Sequence, residues 1–390
     1  MEGLIQQGRE MAAAGHVVHT LSLDAPDLAL DRRMHSEAVF LLGPSYFGYR
    51  LNLRLEPWLR THGSGYDVIL VHGMWQYHGY CVSKVARSLG LRYVIFLHGM
   101  LDPWFGKRYP LKHLKKWLYW PWAEYRVLKG ARFVLFTTSE ELRLARESFW
   151  LYKARERLVG YGIGRREIPA GEARETFLSA FPHLRDTRNL LFLSRLHPKK
   201  GCDMLIDAFA RAAQADPRLH LVLAGPDGVG WQPRLARQAQ QLGIADRVTF
   251  TGMLKDAMKW GAYDAAEAFV LPSHQENFGI VVAEALASGV PVLITDKVNI
   301  WREISEAQAG IVRDDTQEGT DRLLNDWLAL TPQQKAAMRE RTVACFEANF
   351  ELKKVTHKLL EALSIAASAA VIEPTFQGRL PAVLRTRLQK

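Results

Sequence analysis

Cysteine is scarce in this chain: Cys81, Cys202 and Cys345 are its three among 390 residues. They stand far apart and share no metal-ligand spacing with the histidines, so neither a disulfide framework nor a zinc site is expected, and they read as small core residues. No run of 18 or more apolar residues occurs, which excludes a membrane-spanning helix of ordinary length. The opening residues, with Glu2, Gln6 and Gln7, lack the basic-then-apolar pattern of a signal peptide. The expected location is therefore cytoplasmic. Zinc-finger and RNP patterns are missing too, so nothing favours a nucleic-acid partner.

What is present is bulk and positive charge. With 48% hydrophobic residues the chain is long enough for two domains, each with its own core. Lys and Arg number 51 against 41 Asp and Glu, and the net charge of +10 suits an anionic partner: nucleic acid, an anionic membrane face or a phosphorylated small molecule.

Short apolar, β-branched runs recur at 16–23, 67–71, 92–97, 132–137, 189–193, 220–224, 248–251, 268–271 and 290–295, with helical periodicity between them, for example over 203–214 and 233–242. Strands alternating with helices predict parallel sheets built of βαβ units, hence an α/β chain of two Rossmann-like domains facing a central cleft. The division predicted is 1–165 for the first domain, a polar linker over 166–188, a second domain over 189–350, and a C-terminal helix with a basic tail over 351–390. In such sheets ligands gather at the carboxyl ends of the strands.

Two of those ends carry chemistry. After the strand at 268–271 comes Pro-Ser-His-Gln-Glu-Asn-Phe-Gly, then a helix predicted over 280–288 and closed by Gly289. Glu276 sits in this loop beside the free N–H groups of the coming helix, a position suited to a polar ligand. Glu284 stands among Val281, Val282, Ala285 and Leu286; if it is buried it needs a partner, which a ribose diol would supply, and otherwise it points to solvent. After the strand at 189–193, Ser194-Arg195-Leu196-His197-Pro198-Lys199-Lys200-Gly201 offers a planar fork and point charges to a diphosphate.

In order and spacing, Arg195 and Lys200 of the S-R-L-x-x-x-K-G stretch, Gly225, Phe250-Thr251-Gly252 and the E-x7-E pair Glu276 and Glu284 resemble retaining glycosyltransferase family 4. The likeness runs over roughly residues 10 to 350. It implies a GT-B fold, a nucleotide-sugar donor, no metal and no further cofactor, since the D-x-D triplet of metal-binding sugar transferases is absent. By likeness Arg195 and Lys200 bind the donor diphosphate. Glu276 holds the transferred sugar with the Asn277, Phe278 and Gly279 backbone, Glu284 holds the ribose, and Gly252, Met253 and Leu254 lie near the base. Of two His-Gly strand ends, His72-Gly73 and His98-Gly99, the likeness selects His98 as the sugar contact and leaves His72, Trp75 and Tyr77 on the acceptor side. The acceptor it implies is a glycan or lipid-linked intermediate of surface polysaccharide synthesis.

Two features complicate the picture. The segment Lys107 to Lys129 interleaves seven Lys or Arg with Trp117, Tyr119, Trp120, Trp122 and Tyr125. It suits an anionic membrane face, which would place the protein peripherally on the inner side of the plasma membrane, or else its tryptophans pack inside the first domain. The family's first strand and glycine-bearing loop also have no counterpart ahead of the helix at Glu2. That leaves a non-catalytic nucleotide-sugar-binding or scaffold protein as the rival reading.

Overall fold

The computed structural model describes residues 2–25, 38–108 and 110–368. The basic tail expected over 370–390, Tyr109 and the Lys107 side chain lie outside what is described.

After the helix Glu2–Ala13, β1 (His19–Ser22) and β2 (Ala38–Leu41) pair in parallel. A four-stranded parallel sheet follows, made by β3 (Ile69–His72), β4 (Tyr93–Phe96), β5 (Val134–Phe136) and β6 (Glu156–Leu158) in that spatial order. Every residue of β4 and β5 is buried, because helices cover both faces of the sheet and leave no polar side for alternation to mark.

The second half forms a six-stranded parallel sheet from β7 (Arg188–Leu193), β8 (Leu219–Ala224), β9 (Val248–Gly252), β10 (Ala266–Leu271), β11 (Val292–Thr295) and β12 (Gly310–Arg313). Its spatial order is β12-β11-β10-β7-β8-β9. The chain thus starts at β7, winds outward to β9, and returns to wind the other way from β10. Loops after β7 and β10 leave in opposite directions, which opens a crevice between these neighbouring strands.

Three expectations change. The stretch read as a linker contains the helix Ala170–Ala180, whose Phe177 and Leu178 are buried in the core of the second sheet. The helical reading over 331–363 resolves into two helices, Pro332–Asn349 and Leu352–Ala367, the former opened by a capping box between Thr331 and Gln334. The second of these crosses back: Leu359, Ala362 and Ala366 pack with Met11, Val94, Phe96 and Leu135 of the first domain. All three cysteines are buried, as small apolar residues would be.

Candidate donor site in the interdomain cleft

Lys200 reaches the crevice because the chain turns tightly after β7. Proline 198 opens a single 3-10 turn, and Gly201 ends it with φ +68°, where a Cβ would lie 2.1 Å from the Pro272 carbonyl oxygen. The turn is tied to the acidic loop after β10, since the Lys199 carbonyl accepts from the His274 N–H at 2.9 Å and the Ser273 hydroxyl at 3.2 Å. Glu276 is fixed in turn by its own backbone: its N–H donates to Lys297 O at 2.9 Å and its carbonyl accepts from Asn299 N at 3.0 Å. With both loops anchored, the Lys200 ammonium donates to the Glu276 carboxylate. No side chain caps the helix Ile280–Ala287 at Gly279; the Val282 N–H donates to the Gly279 carbonyl at 2.8 Å, and the helix opens with its N-terminus toward the crevice.

The other wall comes from the first domain. His98 follows β4 and stacks on Phe96 and His72, with His72 Nδ1 and His98 Nε2 3.0 Å apart. Burial lowers His98 to about 4 and His72 to about 3, the latter helped by its histidine neighbours, so both rings are neutral near pH 7. Beneath them lies Glu141, a fully buried carboxylate that sequence reading missed. It accepts from Gly99 N at 2.5 Å, Thr137 N at 2.7 Å and Thr137 Oγ1 at 2.5 Å, while burial pushes its carboxyl upward. Thr137 Oγ1 also accepts from Asn277 Nδ2 at 3.2 Å, which joins the two domains. Approach is so close that a Cβ on Gly99 would stand 2.5 Å from Asn277 Cγ.

Between these walls lies a cavity of about 370 Å³ lined by His98, Thr137 and Tyr161 on one side, and by Arg195, Lys200, Glu276 and Asn277 to Val281 on the other. It joins a fork, an ammonium and a carboxylate to a helix N-terminus in one cleft, the donor set that a diphosphate and a polyhydroxylated ring require.

Residues 174–343 match the family described as glycosyl transferases group 1, and residues 5–162 match the glycosyl transferase 4-like domain. The chain belongs to the group 1 glycosyltransferases. It is 39% identical over 137 residues to the D-inositol 3-phosphate glycosyltransferase of Thermomonospora curvata, a match covering 33% of this chain and 32% of that relative. The match thus spans about a third of the relative's length. In structure it resembles sucrose-phosphate synthase from Thermosynechococcus elongatus, with TM-score 0.72 at 21% identity over 93% of this chain and 92% of that one. It also resembles Anabaena HepE in complex with UDP-glucose, with TM-score 0.70 at 18% identity over 93% and 95% of the two chains. These likenesses show the fold, two Rossmann-like domains in the GT-B arrangement.

Other predicted residues of this glycosyltransferase lie beyond the cavity lining. Glu284 has its carboxylate held inside the second domain, by Lys259 Nζ at 2.7 Å and Tyr263 Oη at 3.0 Å. Met253, after Gly252, is exposed and Leu254 packs partly against the core. Trp75 and Tyr77 pack partly against the first domain's core, where the Trp75 N–H donates to Glu124 Oε1 at 2.8 Å and its indole N–H to Met100 O at 3.1 Å. Thr137, Tyr161 and Ser194 were not anticipated. Thr137 and Ser194 follow strands β5 and β7, and reading every strand end would have found them; nothing local marks Tyr161.

Proposed function

We propose that the chain transfers a sugar from a nucleotide-diphosphate donor to an acceptor hydroxyl with retention at the anomeric carbon. The observation that carries this reading is the convergence of Arg195, Lys200 and Glu276 on one crevice, faced across the cleft by His98. In the reaction the bond from the anomeric carbon to the phosphate oxygen breaks as the acceptor oxygen bonds to the same face of that carbon. The hydroxyl proton passes to the departing phosphate oxygen. Arg195 and Lys200 meet charge as it builds on the leaving diphosphate, and losing one such preorganised group typically costs about 3 kcal/mol. Glu276, with the backbone at Asn277, Phe278 and Gly279, holds the sugar hydroxyls, and neutral His98 adds a hydrogen bond. Glu284 has its orientation fixed by Lys259 and Tyr263 and takes the ribose diol with its remaining lone pairs. Gly252, Met253 and Leu254 border the base, and His72, Trp75 and Tyr77 border the acceptor.

The acceptor is read as a glycan or lipid-linked intermediate of surface polysaccharide synthesis, met at the inner face of the plasma membrane. Support comes from the helix Pro110–Tyr119, which has no buried residue. Leu111, Leu114 and Leu118 recur at helical spacing with Trp117 beside them, all exposed, and exposed Lys112 and Lys115 flank that stripe. No helix among the described residues is long and apolar enough to cross a membrane, so the contact would be peripheral.

The decisive experiment incubates the protein with a panel of nucleotide sugars and measures released nucleotide, beside calorimetric binding. Release from at least one donor supports transfer. Binding without release in the presence of lipid-linked acceptors would favour the scaffold reading, and neither binding nor release would reject both.

A further inference from the structure

A second concavity lies wholly within the first domain, about 760 Å³ in volume, between the helix Pro110–Tyr119 and the loop that joins the helix Ser139–Arg146 to β6. Its wall is aromatic. Trp117 and Trp150 stack at 5.9 Å between centroids with planes 25° apart, and they remain 42% and 64% exposed, so the two indoles form one broad apolar surface open to solvent. Single exposed aromatics are ordinary, but a contiguous exposed apolar surface set in a concavity marks a place where something binds.

The rim is polar, and its charges cancel: Arg146 and Lys153 stand against Glu147 and Glu156. Most are already held in place. Arg146 Nε donates to both Glu156 carboxylate oxygens, at 3.0 and 3.1 Å, and Glu147 accepts from Arg143 at 2.6 Å. A phosphate or an acidic sugar would find no excess positive charge. A neutral pyranose fits better, because its C–H face lies flat on indole while its ring of hydroxyls meets carboxylate and guanidinium edges that are preorganised for vicinal diols.

We propose that this concavity is a second carbohydrate-binding site, distinct from the donor cleft, which takes neutral saccharide residues on the Trp117–Trp150 wall. The helix Ser139–Arg146 connects the two places. Its first turn carries Glu140 and Glu141 at the cleft, and its last residue, Arg146, lies about 8–9 Å further on at roughly 1.5 Å per residue. An extended glycan acceptor with its reacting end in the cleft lays its remote residues here; this last step rests on the transfer reading, while the binding itself does not.

The test needs no donor. Saturation-transfer NMR is run on the full chain with methyl α-D-glucopyranoside, methyl α-D-mannopyranoside, maltotriose and α-mannotriose as probes, for the parent and for Trp150→Ala, Trp150→Phe and Glu276→Ala. Transfer to at least one neutral probe is expected, with apparent affinity weakened on the order of tenfold by Trp150→Ala, recovered in part by Trp150→Phe and unchanged by Glu276→Ala. Unaltered melting of the Trp150 variants shows that they fold. The site is overturned if no probe receives saturation, or if the signal survives Trp150→Ala and vanishes with Glu276→Ala, which places all binding in the cleft. It is also overturned if Trp150→Ala abolishes sedimentation with anionic vesicles and leaves saccharide binding untouched, since the indoles would then serve lipid. Nucleotide release from a donor panel is unaffected by any of these outcomes, so the transfer reading stands or falls separately.

Discussion

In the unliganded chain the Lys200 ammonium is occupied by the Glu276 carboxylate. A diphosphate entering the crevice competes for that ammonium and leaves Glu276 free to accept from sugar hydroxyls, so one exchange of partners prepares both ends of the donor. Glu276→Ala should therefore abolish transfer while calorimetry finds nucleoside diphosphate bound as tightly as before or a few-fold tighter. Equal loss of both would sink the assignment. A second residue-scale effect concerns Glu124, a carboxyl with no exposed surface that burial raises from 4.5 to about 7. Between these values the folded chain holds a proton that the unfolded chain has lost, so stability falls as pH rises through that window and levels off above it. The lowered His72 and His98 act the other way: below 6.5 the unfolded chain gains protons that the folded one refuses until about 3 and about 4 respectively, so stability falls as pH drops. Glu124→Gln should remove the first slope alone. Its melting temperature should exceed the parent's at pH 8 and climb more steeply between pH 4.5 and 6.5; matching pH curves would show that Glu124 does not titrate in this range.

Among the elements, the segment Lys107 to Lys129 proves to be two things. Trp120 is fully buried and stacks on Phe149 at 4.3 Å, whereas Trp117 is 42% exposed on the helix Pro110–Tyr119. Lys116 is not a solvated lysine either, for its ammonium sits 4.5 Å from the Trp75 ring and burial lowers it. The core reading thus holds for Trp120, and the proposed membrane contact concerns only the exposed face of the helix Pro110–Tyr119. Trp120→Ala should cost about 3–5 kcal/mol of stability, as large aromatic deletions in cores do. Replacing the exposed Leu111, Leu114 and Leu118 by serine should leave melting nearly unchanged and release the protein from anionic liposomes at low salt. No sedimentation by the parent would end the membrane reading. The same contrast explains what could be read in advance. Nine strands were visible as apolar runs, eight of them in the two larger sheets, whose central strands are buried on both faces. Of the three that were not, β6 reads only Glu-Arg-Leu and β12 Gly-Ile-Val-Arg, both at a sheet edge where a continuous apolar run is not required, whereas β2, Ala-Val-Phe-Leu, is a short apolar run that sequence reading missed. The donor loops were visible since each is local in sequence. Glu141, the Lys259 and Tyr263 that hold Glu284, and the burial of Trp120 depend on contacts between distant segments and left no local pattern.

At the scale of the whole molecule, polar contacts among the described residues span the cleft, including Gln275 to Asp102 at 2.7 Å, Asn277 to Thr137 at 3.2 Å and Arg302 to Glu140 at 3.0 Å. Lys199 also reaches across, lying 5.0 Å from the Trp104 ring and 5.3 Å from the Phe105 ring. Closure keeps water from a donor that it would otherwise hydrolyse. Glu140 retains Arg143 when Arg302 is lost, so removing the contact strands no buried charge. The double variant Gln275→Ala with Arg302→Ala should enlarge the radius of gyration in small-angle scattering without donor and raise nucleotide-sugar hydrolysis relative to transfer, with melting little changed. An unaltered scattering curve would mean that these contacts do not hold the domains together.

The return of the final helix to the first domain bears on how such proteins can be recombined. Leu359, Ala362 and Ala366 complete the packing around β4 and β5, so the first domain is discontinuous in sequence and the second is an insert between its parts. A chimera that exchanges everything after residue 165 for a relative's would bring a foreign helix against Met11, Val94 and Phe96, and should express as an unstable or aggregated chain. One that exchanges only the stretch between the crossings, keeping residues 352–368 with their native partners, should fold and change donor preference alone. On the proposed reading, donor specificity would then travel as an internal cassette, bounded at both ends by the first domain that hosts it.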